Sequence, residues 1–310
     1  MNSAEADIKD IVGAIAKSYG TEPDIIRIGE HEQIDRDAVD TITDDLRSLI
    51  FAGYYDRRRL KPELVEYYVG ETVERIFVSL SRQIGKALRI GDAASPGLDE
   101  GSEALAEQKA LSFLKEIPAI RAVLATDVEA SFDGDPAARS KEEIILSYPG
   151  IHAISVYRLA HELYLRDIPL IPRMMTERAH SLTGIDINPG AKIGHHFFLD
   201  HGTGIVVGET CIIGNFVKIY QGVTLGAMST RGGQLLTGVK RHPTIEDHVT
   251  IYSGASILGG ATVIGEGVVV GSNSFITKSI PEKTRVSIRE PDLLYKSDDK
   301  DRDAFWVYTI

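Results

Sequence analysis

The sequence predicts an α + β protein: an all-helical N-terminal domain followed by a parallel β-helix of hexapeptide repeats. Three observations carry that prediction. Apolar residues recur at spacings of three and four through the first half, and aliphatic residues recur every six after Gly184. Glycine is also divided: residues 1–165 hold 11 of the 29, and residues 181–280 hold the other 18. The expected organisation is a helical domain over 1–165, a β-helix over 166–290 and a short tail over 291–310.

The helical half is read from its periodicity. Leu60–Ile90 carries Leu64, Val65, Tyr68, Val69, Val73, Ile76 and Phe77 on one face, and Ser102–Leu114 and Glu142–Leu165 have the same character. Between them, Ala94-Ser95-Pro96-Gly97 and Asp133-Gly134-Asp135-Pro136 are turn sequences. The plain reading of this half is packing and oligomerisation.

In the second half Ile187, Ile193 and Leu199 are six apart, as are Val207, Ile213, Ile219 and Leu225. Ile245, Ile251 and Ile257 follow the same rule, and then Ile264, Val270 and Ile276. Six residues make one short strand and one corner, and three such units close a triangular coil. Each aliphatic side chain then stacks on its equivalent about 4.8 Å away in the next coil. The period breaks at three places: two extra residues at Asp200–Gly204, a loop between Gly226 and Pro243, and one extra residue between Ile257 and Ile264. Interruptions of a regular scaffold are where function concentrates. His201 and His242 fall at the two larger breaks.

The formal charge, 34 basic against 45 acidic residues, is −11, which disfavours a broad nucleic-acid-binding surface. No apolar run is long enough to span a bilayer, and the acidic start lacks the pattern of a secretory signal. The single cysteine, Cys211, excludes an intrachain disulfide and a cysteine metal cluster, and reads as a packing residue. A cytoplasmic location is the expectation.

The segment Asp200-His201-Gly202-Thr203-Gly204-Ile205-Val206-Val207-Gly208-Glu209-Thr210, then Gly222-Val223-Thr224-Leu225-Gly226, then Arg241-His242-Pro243, resembles the serine acetyltransferase family. Asp135-Pro136-Ala137, Gly150-Ile151-His152-Ala153, Tyr157-Arg158 and Ile185–Gly194 extend the likeness, which runs from about Asp135 to Pro281. The resemblance implies a left-handed β-helix and the transfer of acetyl from acetyl-CoA to the hydroxyl of L-serine, giving O-acetylserine for cysteine biosynthesis. It implies His201 as general base, with Asp186 orienting its ring and His242 as a second active-site histidine. Asp135 and Asp200 match positions that meet the substrate ammonium, and Arg241 and His242 match those that meet the rest of the amino acid. A serine hydroxyl is a poor nucleophile at neutral pH, so a base within reach is required. Asp135 before Pro136 reads equally well as a turn or capping residue.

Backbone donors near Gly226 and Ala227 suit a developing oxyanion, and Lys240 and Lys278 suit the phosphates of CoA. No metal is expected. The family also implies a homotrimer or hexamer, and a C-terminal isoleucine, here Ile310, that enters the active site of O-acetylserine sulfhydrylase. Two features depart from the family pattern: the long segment Ala227–Lys240 and Asn188 in place of a frequent histidine.

Three other readings stand beside this one. A hexapeptide zinc enzyme of carbonic anhydrase type would use His201 with His195 or His196, neighbours that strand alternation points opposite ways. An acetyltransferase for another small alcohol would keep the chemistry and change the acceptor. A non-catalytic trimeric scaffold would hold a partner through its tail.

Overall fold

The computed structural model describes residues 3–21, 25–26, 33–55, 60–91 and 100–289. Its helices are α1 (Ser3–Ser18), α2 (Arg36–Ile50), α3 (Val65–Gly91), α4 (Glu100–Leu114), α5 (Ile117–Gly134), α6 (Lys141–Ser147), α7 (Pro149–Tyr164) and α8 (Ile171–Thr183). The stretch from Leu60 enters through a 3-10 turn at Pro62–Leu64, and α3 then buries Ile76, Leu80, Ile84 and Ala87. Asp35 caps α2 by accepting from the N–H groups of Asp37 and Ala38.

The expected helix over Glu142–Leu165 is two helices. Tyr148, in an extended conformation before Pro149, separates α6 from α7, as the steric demand of the proline ring requires. The boundary drawn after residue 165 also shifts. Helix α8 follows it and ends at Gly184, whose φ of 71° gives a left-handed cap. The first strand begins only at Asp186.

Beyond Gly184 the chain is a left-handed parallel β-helix of about 5 turns. The first coil is β1 (Asp186–Ile187), β2 (Lys192–Ile193) and β3 (Phe198–Asp200), and the second is β4 (Val206–Val207), β5 (Ile212–Ile213) and β6 (Lys218–Tyr220). The third holds β7 (Thr224–Gly226), β8 (Thr244–Ile245) and β9 (Thr250–Ile251). The fourth holds β10 (Ser256–Leu258), β11 (Val263–Ile264) and β12 (Val269–Val270). In the last, β13 (Phe275–Ile276), a bridge from Ile280 to Ile264, and β14 (Arg285–Val286) close the turn.

Three parallel sheets form the faces of the prism: β1-β4-β7-β10-β13 is face one, β2-β5-β8-β11 face two and β3-β6-β9-β12-β14 face three. The register aligns the period-six residues. Ile187, Val207, Leu225, Ile257 and Ile276 form one column, and Ile193, Ile213, Ile245 and Ile264 a second. Leu199, Ile219, Ile251 and Val270 form the third. All are buried except Ile193, which is half-buried at the end next to the helices. Cys211 packs at a corner inside the prism, and burial pushes its thiol up to about 12, as fits a packing residue.

The single extra residue before Ile264 seats the long loop. A Cβ at Gly260 would lie 2.1 Å from the Lys240 carbonyl oxygen, so only glycine lets the two segments pass this closely.

The helices grip the first coil. Tyr157 Oη donates to the Ala191 carbonyl at 2.6 Å, and Arg158 donates to the carbonyls of Ile193 and Gly194. The same guanidinium pairs with fully buried Asp127, Nε to Oδ2 at 2.6 Å and Nη2 to Oδ1 at 2.9 Å. Asp127 also accepts the Phe197 N–H at 2.9 Å. This two-pronged ion pair satisfies the lone pairs that burial would otherwise orphan. It fixes the corner that leads into β3, and β3 ends at Asp200.

Candidate active site

The corner from face three to face one carries His201. It adopts φ 58°, a left-handed conformation that turns the chain out of β3, and its ring is 72% exposed. Nε2 lies 3.8 Å from Asp200 Oδ1. Lys218, on the next coil, places Nζ 3.8 Å from the other Asp200 oxygen. The C-terminal turn of α5 brings Asp135 to the same place. Its carboxylate accepts the Ala137 N–H at 2.8 Å and the Tyr148 hydroxyl.

The Tyr148 hydrogen bond, then the Ala137 N–H, hold the Asp135 carboxyl below the usual range, with Lys218 and His201 adding attraction. Tyr148 is pushed up to about 12 by the same bond, because ionisation would set two anions against each other. Asp135 is thus both a turn residue and a member of the cluster. Three of the sequence-predicted residues, Asp135, Asp200 and His201, are brought together.

Asp186 is not brought to His201. The carboxylate nearest that ring is Asp200, whereas Asp186 lies 4.0 Å from Arg173 and groups with Glu177 and His180. The expected orienting pair is therefore not formed in this chain. Asp186 opens β1 directly after α8, which places it beside the side chains of that helix.

Arg241 and His242 lie at a different edge, the corner from face one to face two, where the 227–243 loop returns. His242 is buried, and Nδ1 accepts from the Thr210 N–H at 3.0 Å. That bond places the ring proton on Nε2. Burial, then Arg241 and Lys240, push His242 down to about 4, so the imidazole is neutral at pH 7. The Thr210 hydroxyl accepts the N–H groups of Arg241 and His242 at 2.9 and 3.0 Å and so holds the returning loop. One arm of the Arg241 guanidinium pairs with Glu209, and the other reaches the Leu236 carbonyl at 3.3 Å.

Gly226 and Ala227 open the same loop. Lys240 is not free for a phosphate: its ammonium donates to the carbonyls of Thr210, His242 and Pro243. Lys278 is exposed at the far end of the prism and has no ion pair among the described residues, which suits a phosphate. Asn188 caps its own corner, with Oδ1 accepting the Gly190 N–H at 3.0 Å.

His195 and His196 sit at the third corner. They do not point opposite ways, for their Nδ1 atoms are 2.7 Å apart. His196 is left-handed, φ 54°, so strand alternation does not apply, and its ring stacks on Phe216, which stacks on His248. The one group of three metal-ligating side chains that converges among the described residues is Glu177, His180 and Asp186, which includes none of His195, His196 and His201. Ile310 and the tail lie outside the described residues.

Sequence reasoning missed Lys218, Tyr148, Glu209 and Thr210. Each acts through a partner distant in sequence, and only Glu209 and Thr210 had a signal, standing at the end of the quoted motif.

A left-handed β-helix interrupted at two corners, each break carrying a histidine, defines a β-helix acyltransferase. No family model matches the chain. A plasmid-encoded serine acetyltransferase of Synechococcus elongatus is 44% identical over 219 residues, which is 68% of each protein. A cysteine complex of serine acetyltransferase isoform 3 from Entamoeba histolytica superposes with a TM-score of 0.71 at 35% identity, covering 88% of each chain. A serine complex of the Neisseria gonorrhoeae serine acetyltransferase superposes with a TM-score of 0.53 at 28% identity, covering 82% of this chain and 97% of that one. The chain belongs to the serine acetyltransferase family. Among the described residues no helix is long and apolar enough to cross a membrane.

Proposed function

We propose that the two histidine corners are two halves of one active site, joined when the prism of one subunit packs against the next. The carrying observation is their separation. One corner holds two carboxylates, Lys218 and an exposed imidazole, the other a guanidinium paired with Glu209 and a neutral imidazole, and they occupy different edges of one prism. An amino acid needs both sets, anions for its ammonium and a cation for its carboxylate. A trimer would set unlike edges of neighbouring subunits face to face, so a homotrimer, or a hexamer of two, is the assembly that fits.

In this reading Asp135 and Asp200 receive the ammonium of L-serine, and Arg241, its guanidinium oriented by Glu209 and the Leu236 carbonyl, receives its carboxylate. His201 takes the hydroxyl proton as the oxygen attacks. Acetyl-CoA, when bound, supplies the thioester carbonyl that is attacked and the thiolate that leaves. Backbone N–H groups at Gly226–Ala227 and the Nε2–H of His242 are the donors for the developing oxyanion. His201 then returns its proton to the departing sulfur, so the products are O-acetylserine and CoA. Asp186 joins the site only if it leaves Arg173, and Lys278 is the residue offered to CoA phosphate. Capture of Ile310 by O-acetylserine sulfhydrylase remains part of the proposal, as does a cytoplasmic setting.

The test is thiol release from acetyl-CoA by the purified protein, with L-serine, homoserine, a galactoside or no acceptor. Serine-dependent release is expected. Release with homoserine or the galactoside alone would retain the mechanism and discard the substrate. Silence with every acceptor would discard both.

A further inference from the structure

Lys218 lies at the centre of the carboxylate corner and has no role in the chemistry above. Its Nζ donates to the Gly134 carbonyl at 2.7 Å, the last residue of α5 and the one before Asp135. The same ammonium lies 3.8 Å from Asp200 Oδ2, 4.6 Å above the Phe198 ring and 4.9 Å above the Tyr220 ring. The helix end lies flat on this arrangement. A Cβ at Gly134 would come 2.6 Å from the Phe198 ring.

We propose that Lys218 is a positioning residue of the amino-acid pocket. It fastens the Gly134–Asp135 turn to β6 and offsets one of the two carboxylates, so that the pocket offers one net negative charge to one substrate ammonium. The proposal rests on the reading that Asp135 and Asp200 receive that ammonium.

Two carboxylates in one pocket repel, and without a resident cation one of them takes up a proton at a higher pH. Asp135 faces the Tyr148 hydroxyl at the α6–α7 junction, the Ala137 N–H, Lys218 from β6 and His201 from the corner. Asp200 faces His201 and Lys218. Lys218 is thus the one cation in the cluster that does not depend on the protonation of an imidazole. The rings of Phe198 and Tyr220 restrict it to this position, since an ammonium above an aromatic face is attracted and partly shielded from water.

The experiment compares wild type with Lys218→Gln, Lys218→Arg and Asp135→Asn, measuring KM for each substrate, kcat, and kcat/KM for serine against pH. Lys218→Gln is expected to raise serine KM about tenfold, with kcat and acetyl-CoA KM within about threefold. Its acid limb should move to higher pH, because the corner then carries one more net negative charge and its groups protonate more readily. Lys218→Arg, which keeps the charge, should hold serine KM within about threefold of wild type.

If Lys218→Gln keeps the wild-type serine KM and acid limb while Asp135→Asn raises KM, the role of Lys218 is overturned and that of Asp135 stands. If Asp135→Asn also leaves serine KM unchanged, the ammonium reading itself falls. A Lys218→Gln variant that lowers kcat and raises both KM values together, with the acid limb in place, reports only a loosened domain contact and overturns the proposal. So does a tenfold rise of serine KM in Lys218→Arg with an unmoved acid limb.

Discussion

The two interrupted corners of the prism carry the same residue type in opposite states. The His201 ring is open to solvent and touches only Asp200 at long range. The His242 ring is buried, pinned through Nδ1 to Thr210 and held neutral. One corner leaves its imidazole loose and accessible, the other fixes its ring in one orientation. The difference comes from the loops. Two extra residues make a tight left-handed exit at His201, whereas the long 227–243 excursion folds back and covers His242.

The largest effect should come from removing the rings themselves. His201→Ala is expected to lower turnover at least about a hundredfold, the scale of lost acid–base catalysis, and His242→Ala by a comparable factor. Wild-type rates in both would break the comparison at once. If unlike edges meet between subunits, co-refolding the two variants restores part of the activity, because some interfaces then pair an intact His201 with an intact His242. An inactive mixture would place the two corners in separate functions.

A smaller effect sharpens the account of His242. A Cβ on Gly208 would lie 2.1 Å from its ring, so Gly208→Ala must displace the imidazole from Thr210. A drop in kcat of about tenfold is expected, with serine KM less affected, since a misplaced oxyanion donor acts on the transition state. Unchanged kcat would show that the pinned geometry is not needed.

The smallest effect is on stability. The folded pKa of His242 is about 4, below the ordinary 6.5 of the unfolded chain, and half-buried His152 behaves alike. The unfolded state then binds more protons between those values. This stability is full above pH 6.5 and is lost as pH falls toward about 4, on the order of 2 kcal/mol for each ring. Calorimetric melting should show a flat plateau at pH 7–8 and a decline below pH 6.5. His242→Asn should remove part of that decline, and a slope identical to wild type would contradict the buried neutral state.

The fold was legible because the solenoid repeats one rule. Every period-six aliphatic from Ile187 to Ile276 enters its column, and an error at one position would be exposed by the next. Helix α8 was missed because its short Ile171–Thr183 pattern starts at Ile-Pro and lacks a repeat to check it. Within the site, His201 was readable because it stands at a break of the period, whereas Asp200 and Asp135 were assigned by their match to family positions. Their neighbours were not. Lys218 sits beside core residue Ile219, where a lone lysine looks like any outward strand residue, and its partner Gly134 is 84 residues away. Asp186 was likewise assigned by likeness, and it lies 4.0 Å from Arg173 on the unforeseen helix.

The pair of Arg158 with Asp127 has a meaning beyond joining two halves. A solenoid has two open ends, each exposing a core that the next coil would have covered. Here the helical half is the lid of that end: Tyr157, Arg158 and Asp127 take up the backbone groups of the first coil that lack a preceding coil. A fragment cut at the border would leave those carbonyls and Ile187 facing water, an invitation to stack end to end with another copy. The helices are thus the terminator of the repeat at that end.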